Sequence, residues 1–310
     1  MWPLWENKLE NKSSKLHERV IRNYHIASQK TSAAFRTWGK EFRIAEFLGG
    51  VTVGICLSTL FTQFIWPYRH ITHVWIYSSR FRKHWKAGMS CRSDVVLQRD
   101  GYAVGYSYLY RSPLWVSYIA CRSSIGVNLP IEGVNFMVDT ELPKCYQASP
   151  TDYLLSGYDR GHMAPCGTIN FSHRSNDQTM LLSNICLQHP ELNRNGWKSI
   201  EGNIRKWITL RGKHAVVVGP VWDAERTKKV NSIGIPKAFF LAVYSYSTGE
   251  TIGFHVPNKP VAAKDIWNYV VNIDELERIT KLKIFRKLPF FRRPLKHRRR
   301  KVSMEFWRKE

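Results

Sequence analysis

No two of the six cysteines in this chain form a Cys-x-x-Cys pair. A tetrahedral zinc ribbon or finger needs that spacing, so a zinc site of that kind is excluded. The six are scattered (Cys56, Cys91, Cys121, Cys145, Cys166 and Cys186), and Cys56 lies in the longest uncharged stretch. An odd remainder of five indicates no disulfide framework, which favours a reducing or mixed compartment. There is no internal repeat, which argues against a solenoid or propeller. Only one long apolar run occurs, which argues against a multi-span channel or transporter. Acid is scarce as well, with 24 Asp and Glu against 47 Lys and Arg.

The excess charge sits at the ends. Residues 1–93 carry fifteen Lys and Arg against five acids, and residues 281–310 carry thirteen against two, whereas the stretch between holds nineteen against seventeen. Basic flanks of this kind can meet DNA, RNA or an anionic membrane surface, or remain a solvated tail. The run Lys296-His297-Arg298-Arg299-Arg300-Lys301 also has the composition of a nuclear-import signal, a pattern common by chance in basic chains.

Residues 47–68, FLGGVTVGICLSTLFTQFIWPY, contain no charge. As a helix they would span ~33 Å at 1.5 Å per residue, enough for a hydrocarbon core of about 30 Å. Trp66, Tyr68, Trp75 and Tyr77 would then lie near the lipid boundary. The expectation is a single membrane anchor, with a buried core helix or a poorly cleaved signal region as the competing assignments. Lys and Arg are nearly equal on its two sides, so the positive-inside rule leaves orientation open. The apolar run begins too late for a secretory signal, and five acids in the first 46 residues are unusual for a mitochondrial transit peptide. The expected organisation is a basic leader (1–46), the anchor (47–68), a basic juxtamembrane linker (69–93), a globular domain (94–290) and a basic tail (291–310).

Within the globular part, residues 101–110, 114–119, 214–218 and 239–246 are rich in aromatic and β-branched residues and read as strands. Residues 193–210 read as a helix, because Trp197, Ile200, Ile204, Trp207 and Ile208 recur at steps of three and four, with Gly212 as the stop. Strands and helices without regular βαβ alternation indicate an α+β fold.

Chemistry concentrates in Asp159-Arg160-Gly161-His162-Met163-Ala164-Pro165 and in four polar residues spaced downstream of it: Asn184, Asn193, Glu201 and Arg205. Arg160 and His162 flank Gly161, so in an extended segment they point the same way. Residues 180–185 look strand-like and would carry Asn184 alongside. Asn193, Trp197, Glu201 and Arg205 lie four apart, so the polar members would share a helical face. A histidine titrating near neutrality suits deprotonation of water, an amide oxygen suits a hard cation that keeps most of its waters, and guanidinium groups suit phosphate. Taken singly, each has an ordinary explanation. His162 could be a plain hydrogen-bonded histidine, Asn193 a helix cap, and Glu201 with Arg205 an i,i+4 ion pair. Together they make the set that metal-assisted phosphodiester hydrolysis requires. Trp197, Trp207 and Trp222 are read as core. Trp75, Phe81 and Trp85, interleaved with Arg80, Arg82, Lys83 and Lys86, fit a membrane-interface belt better than a base-stacking platform.

The blocks YDRGHMAP and LLSNICLQHPELNRNGWKSIEGNIR resemble the DNA/RNA non-specific endonucleases with a ββα-metal finger, in particular the endonuclease G branch and its mitochondrial exo/endonuclease paralogue. GYAVGYSYLYRSPLWVSYIA, HAVVVGPVWD, IPKAFFLAVYS, FHVPN and NIDELERITKLKIFRKLP have counterparts in the same order, over roughly residues 94–290. The resemblance implies a ββα-metal finger domain with a central antiparallel sheet, preceded here by the anchor. It implies His162 as general base and Asn193 as the direct Mg²⁺ ligand, with Mn²⁺ a possible substitute. Glu201 would hold a metal-bound water, Arg160 and Arg205 would contact phosphate, Asn184 would support the geometry, and Asp159 the loop. Where many relatives have an arginine, this chain has Gln147, which can hydrogen-bond phosphate but carries no charge. The resemblance further implies DNA or RNA as partner and a homodimer. With the anchor, it points to a mitochondrial membrane, the inner one first, with a cell-surface scavenging nuclease as the other location. The competing function is a catalytically degenerate nucleic-acid-binding tether.

Overall fold

Aromatic and β-branched runs become strands wherever both faces can be covered, and in this computed structural model most of them join one sheet. The structure describes residues 84, 93–125, 135–223, 225–286, 288 and 294–308. All belong to the second of the two units into which the chain divides, His70–Glu310. The leader, the expected anchor at 47–68 and nearly all of the linker lie outside the described residues. Among those described, no helix is long and apolar enough to cross a membrane.

The strands are β1 (Val95–Gln98), β2 (Ala103–Ser107), β3 (Ser112–Ala120), β4 (Asp159–His162), β5 (Ile185–Gln188), β6 (His214–Val221), β7 (Lys229–Val230), β8 (Ile233–Gly234), β9 (Ala238–Ser245), β10 (Thr251–Pro257) and β11 (Val270–Val271). Seven form a sheet in the order β1-β2-β3-β6-β9-β10-β11, and every neighbouring pair in it is antiparallel. The α-helices are α1 (His173–Thr179), α2 (Lys198–Arg211), α3 (Ile273–Thr280), α4 (Lys296–Arg300) and α5 (Met304–Arg308). The class is α+β, as the strand and helix signals indicate, with the central antiparallel sheet that the resemblance implies.

β6 and β9 are buried at all eight of their positions, because a helix covers each face of the sheet. On one face Tyr118, Val216, Leu241 and Phe254 pack with Ile200, Ile204 and Trp207 of α2. On the other, Trp115, Val217, Phe240 and Ala242 pack with Ile273 and Leu276 of α3. Alternation along each strand therefore sorts side chains between two apolar layers rather than between core and water. His84 reaches the sheet from the linker, where its Nδ1 accepts the Ile119 N–H at 2.9 Å. Cys121, Cys145, Cys166 and Cys186 are free thiols.

The helix expected over 193–210 forms with the expected buried face: Trp197, Ile200, Ile204, Trp207 and Ile208 are all at most 2% exposed. It stops at Gly212, whose φ of +81° suits glycine and whose N–H returns to the Ile208 carbonyl at 2.9 Å. Its start differs from the cap considered at Asn193. The chain is already helical from Pro190, and a π-helical turn, Leu192–Trp197, leads into α2. Asn193 lies within that turn, its N–H bonded to the His189 carbonyl at 2.9 Å, so its side chain does not serve as an N-cap.

The end of the tail is docked, against the solvated alternative. Trp307 is 1% exposed, its Nε1 donates to the Thr251 carbonyl at 3.1 Å, and its ring meets Trp207 of α2 edge-on at 4.6 Å. Arg299 pairs with Asp274 and Glu277 of α3, which neutralises part of the tail's charge.

Candidate active site

β4 and β5 pair antiparallel outside the main sheet, in the connection between β3 and β6, with Gly161 opposite Cys186 and His162 opposite Ile185. A Cβ on Gly161 would lie 2.3 Å from Gln188 Oε1, so glycine is what lets the side chain of β5 cross β4 there. Arg160 and His162 leave the opposite face of the strand. Both reach the same ring: the Arg160 guanidinium lies 4.6 Å and the His162 imidazole 5.3 Å from the Phe136 centroid. The common face expected of them is therefore present.

His162 is half-buried, with Nε2 3.3 Å from the Met180 sulfur. Burial holds its imidazole well below the ordinary histidine value, down to about 4. The ring is neutral across the physiological range, which is the form a base requires.

The strand expected over 180–185 starts later. Leu182–Asn184 is a 3₁₀ turn, and β5 begins at Ile185. Asn184 is fully buried, and its amide clamps the chain just beyond His162. Oδ1 accepts from Ala164 N at 2.8 Å, and Nδ2 donates to the Ala164 and Thr179 carbonyls at 2.9 and 2.8 Å. Both amide hydrogens are used, so Asn184 has none to offer a substrate. It is a positioning residue.

The helix is tied to β4 through Asp159. Oδ2 of Asp159 accepts from Asn193 Nδ2 at 3.0 Å, and Arg194 grips the same carboxylate through Nε at 2.8 Å and Nη2 at 2.7 Å. Further along, the Arg205 guanidinium lies against the loop that leaves β4: a Cβ on Gly167 would be 3.3 Å from Nη1. Glu201 is half-buried. Burial pushes its carboxyl up to about 7, and the positive field of Arg205 only partly opposes this. The simple i,i+4 ion pair between these two is not formed among the described salt bridges, so neither group is consumed by the other.

The structure thus joins Arg160 and His162 to each other, Asn193 to the start of their strand, and Arg205 to the loop beyond it. Gln147 is not among the groups so joined. Its Nε2 donates to the Leu142 carbonyl at 2.8 Å. Trp197 and Trp207 are core as expected, whereas Trp222 is only half-buried and stacks on Tyr110 at 4.1 Å. Phe136, Met180 and Arg194 are parts of the site that sequence reasoning missed. Phe136 comes from a distant loop, and no spacing within the motif points to it.

The donor set fits a hard divalent cation. Because Asp159 takes the Asn193 amide N–H, the amide oxygen faces the other way and is left to coordinate. Glu201 is a desolvated carboxyl short of positive charge. No cluster of three or more His, Cys, Asp or Glu occurs among the described residues, which does not fit a protein-saturated zinc or iron site.

Comparison with known proteins gives a consistent answer. The sequence model of the DNA/RNA non-specific endonuclease family matches residues 82–291. Mitochondrial nuclease 1 of Schizosaccharomyces pombe is 29% identical over 285 residues, covering 79% of this chain and 88% of that one. The mitochondrial nuclease of Saccharomyces cerevisiae is 30% identical over 219 residues, 62% of this chain and 65% of its own length. Human mitochondrial endonuclease G is 27% identical over 199 residues, 59% and 67% respectively. The crystal structure of an EndoG/EndoGI complex superposes with a TM-score of 0.64 at 23% identity, covering 70% of this chain and 95% of that chain, a likeness of fold.

Proposed function

The chain belongs to the DNA/RNA non-specific endonuclease family, and we propose that it is a membrane-anchored, Mg²⁺-dependent nuclease that hydrolyses phosphodiester bonds of DNA or RNA without reading base sequence. The observation that carries this is the shared face of Arg160 and His162 on β4, with Asn193 tethered to the Asp159 that begins the strand.

Arg160 and Arg205 bind and orient the phosphate as planar donors. His162 is neutral because it is buried. With its proton on Nε2 facing the Met180 sulfur, a weak acceptor, Nδ1 is the basic nitrogen. Nδ1 takes a proton from water as the water oxygen attacks phosphorus in line, and the opposite P–O bond breaks. Asn193 through Oδ1 and Glu201 through a bound water would hold Mg²⁺, or Mn²⁺ in its place, whose charge offsets that developing on phosphate and leaving oxygen. Asn184 keeps the chain after His162 in register. Gln147 has one amide hydrogen left for a phosphate oxygen and no charge to add. Contacts of this kind address backbone rather than bases, as non-specific cutting requires.

Residues 47–68 would hold the enzyme in a membrane, in mitochondria by analogy with relatives named as mitochondrial nucleases, and as a homodimer by resemblance to the family. The test is the detergent-solubilised full chain, with and without His162→Ala, given supercoiled plasmid, single-stranded DNA and RNA in Mg²⁺ or in EDTA. Mg²⁺-dependent nicking that vanishes in the variant is expected. Salt-sensitive binding with no cutting would replace the nuclease by a nucleic-acid tether.

A further inference from the structure

Leu155 is fully exposed, at 105%, and its φ is +53°. The left-handed region crowds a Cβ against the following carbonyl, so glycine or asparagine normally occupies it, not a branched aliphatic residue. Strain of that kind, on a side chain with no packing of its own, is not explained by any contact within the described residues. Leu154 beside it is also 56% exposed.

The tip is held from both sides. Tyr153 before it is 4% exposed, and Tyr158 after it packs against the cluster that contains Ile185 and Leu187 of β5. Gly157, with φ of +76°, makes the turn back into β4. The pair Leu154–Leu155 is therefore a presented apolar point rather than a trailing loop.

Its position selects the occupant. Leu155 precedes Arg160 by five residues, so the two are at most ~17 Å apart along the chain. A duplex rises about 3.4 Å per step. The leucine tip is therefore no farther from a phosphate held at Arg160 than about five base steps. The β7–β8 hairpin, tied to this segment by a 3.2 Å bond from Asn231 Nδ2 to the Asp152 carbonyl, brings exposed Lys228 and Lys229 nearby. Cations beside an apolar point match a base stack bordered by phosphates better than they match a purely apolar surface. Apolar side chains that enter between base steps unstack and kink the duplex.

We propose that Leu155, supported by Leu154, is a wedge that enters the base stack of duplex DNA held at Arg160, and so sets the preference of this site for duplex over single strands. This rests on the nuclease reading above. The experiment compares the full-length protein with Leu155→Gly, which relieves the backbone and removes the wedge, and with Leu155→Met, which keeps an apolar wedge. Each is given one labelled sequence as duplex and as single strand in Mg²⁺. Each is also given a duplex with 2-aminopurine within five steps of either end of the footprint, in EDTA. Leu155→Gly is expected to lower the duplex-to-single-strand ratio of kcat/KM about tenfold, to lose the fluorescence rise that reports unstacking, and to melt no lower than the parent; Leu155→Met keeps both signals. An unchanged ratio and unchanged fluorescence in Leu155→Gly overturn the wedge, including where that variant alters dimerisation or vesicle binding instead. A parent protein that unstacks the duplex but cuts nothing overturns the nuclease reading and leaves the wedge standing.

Discussion

Asp159 accepts the side-chain amide of Asn193 at 3.0 Å, and with the Arg194 guanidinium on the same carboxylate this bond joins the strand that carries Arg160 and His162 to the helix that carries Glu201 and Arg205. Burial alone would raise the Asp159 carboxyl, but hydrogen bonds from Arg194 and Asn193 hold it below the ordinary carboxylate value, so it is ionised and accepting at neutral pH. Its role is to decide which end of the Asn193 amide is free.

Asp159→Ala releases that amide to rotate. Outer partners of a metal ligand are typically worth 10–100-fold in affinity. The concentration of Mg²⁺ giving half-maximal cleavage should rise by about tenfold or more, with activity recovering at saturation. A metal titration measures this directly. An unshifted midpoint would mean that the oxygen of Asn193 is not held for a cation.

Gly161→Ala places a methyl 2.3 Å from Gln188 Oε1 and 2.7 Å from Gln188 Cβ. β4 must move away from β5, and His162 moves with it. Overpacking of this kind costs about 1–3 kcal/mol. A displacement near 1 Å at a catalytic group can cost about 100-fold in rate. Loss of kcat well beyond the loss of thermal stability is expected. Full activity would show that the finger tolerates repacking and that Gly161 is not what fixes the His162 face.

Sequence alone reached the parts of this site governed by local periodicity. Trp197, Ile200, Ile204, Trp207 and Ile208 announced the buried face of α2, because burial follows the 3.6-residue repeat. Arg160 and His162 were placed together by strand alternation about Gly161. What stayed hidden depends on contacts between distant segments. Phe136 meets both residues from a loop with no periodic signal. The π-helical turn that puts Asn193 inside the helix lengthens each hydrogen-bonded ring by one residue, which composition does not encode. Spacing of four allowed Glu201 and Arg205 to close on each other as an ordinary ion pair, and only the side-chain rotamers show that they do not. The basic composition of the tail masked Trp307, a single residue whose burial outweighs the solvated charges around it.

Trp307→Ala tests that last point. The indole fills a site between Trp207, His214 and the Thr251 carbonyl, with Arg211 donating to the neighbouring Phe306 carbonyl at 2.7 Å. Emptying a buried tryptophan site costs about 3–5 kcal/mol. Because the contact is with α2, the helix bearing Glu201 and Arg205 should loosen. Urea unfolding should show the loss, and amide exchange should rise along residues 198–211. Unaltered unfolding would mean the tail contributes nothing to the body.

Acid should destabilise this protein through histidine, not carboxylate alone. Burial holds both His162 and His214 down at about 4; for His214 a bond from its Nδ1 to the Gly212 carbonyl, 2.9 Å away, works in the opposite direction, and Arg211 reinforces the depression. In the unfolded chain each titrates near 6.5. Between those values the unfolded chain binds protons that the folded chain refuses, so stability is fully present above about 6.5 and declines as pH falls toward 4. For fully buried His214, a depression of this size corresponds to about 3 kcal/mol. Glu201, which burial holds at about 7, works in the opposite direction over this range and offsets about one of the two histidines. Urea unfolding from about pH 7.5 to 4.5 should still show falling stability, and His214→Gln should flatten the slope whatever it does to the plateau. The same burial predicts that the acid limb of kcat/KM lies well below 6.5, since His162 remains a neutral base there. A limb near 6.5 that persists in Glu201→Gln would mean that the imidazole is solvated in the working enzyme, whereas one that disappears belongs to the Glu201 carboxyl, which burial holds at about 7.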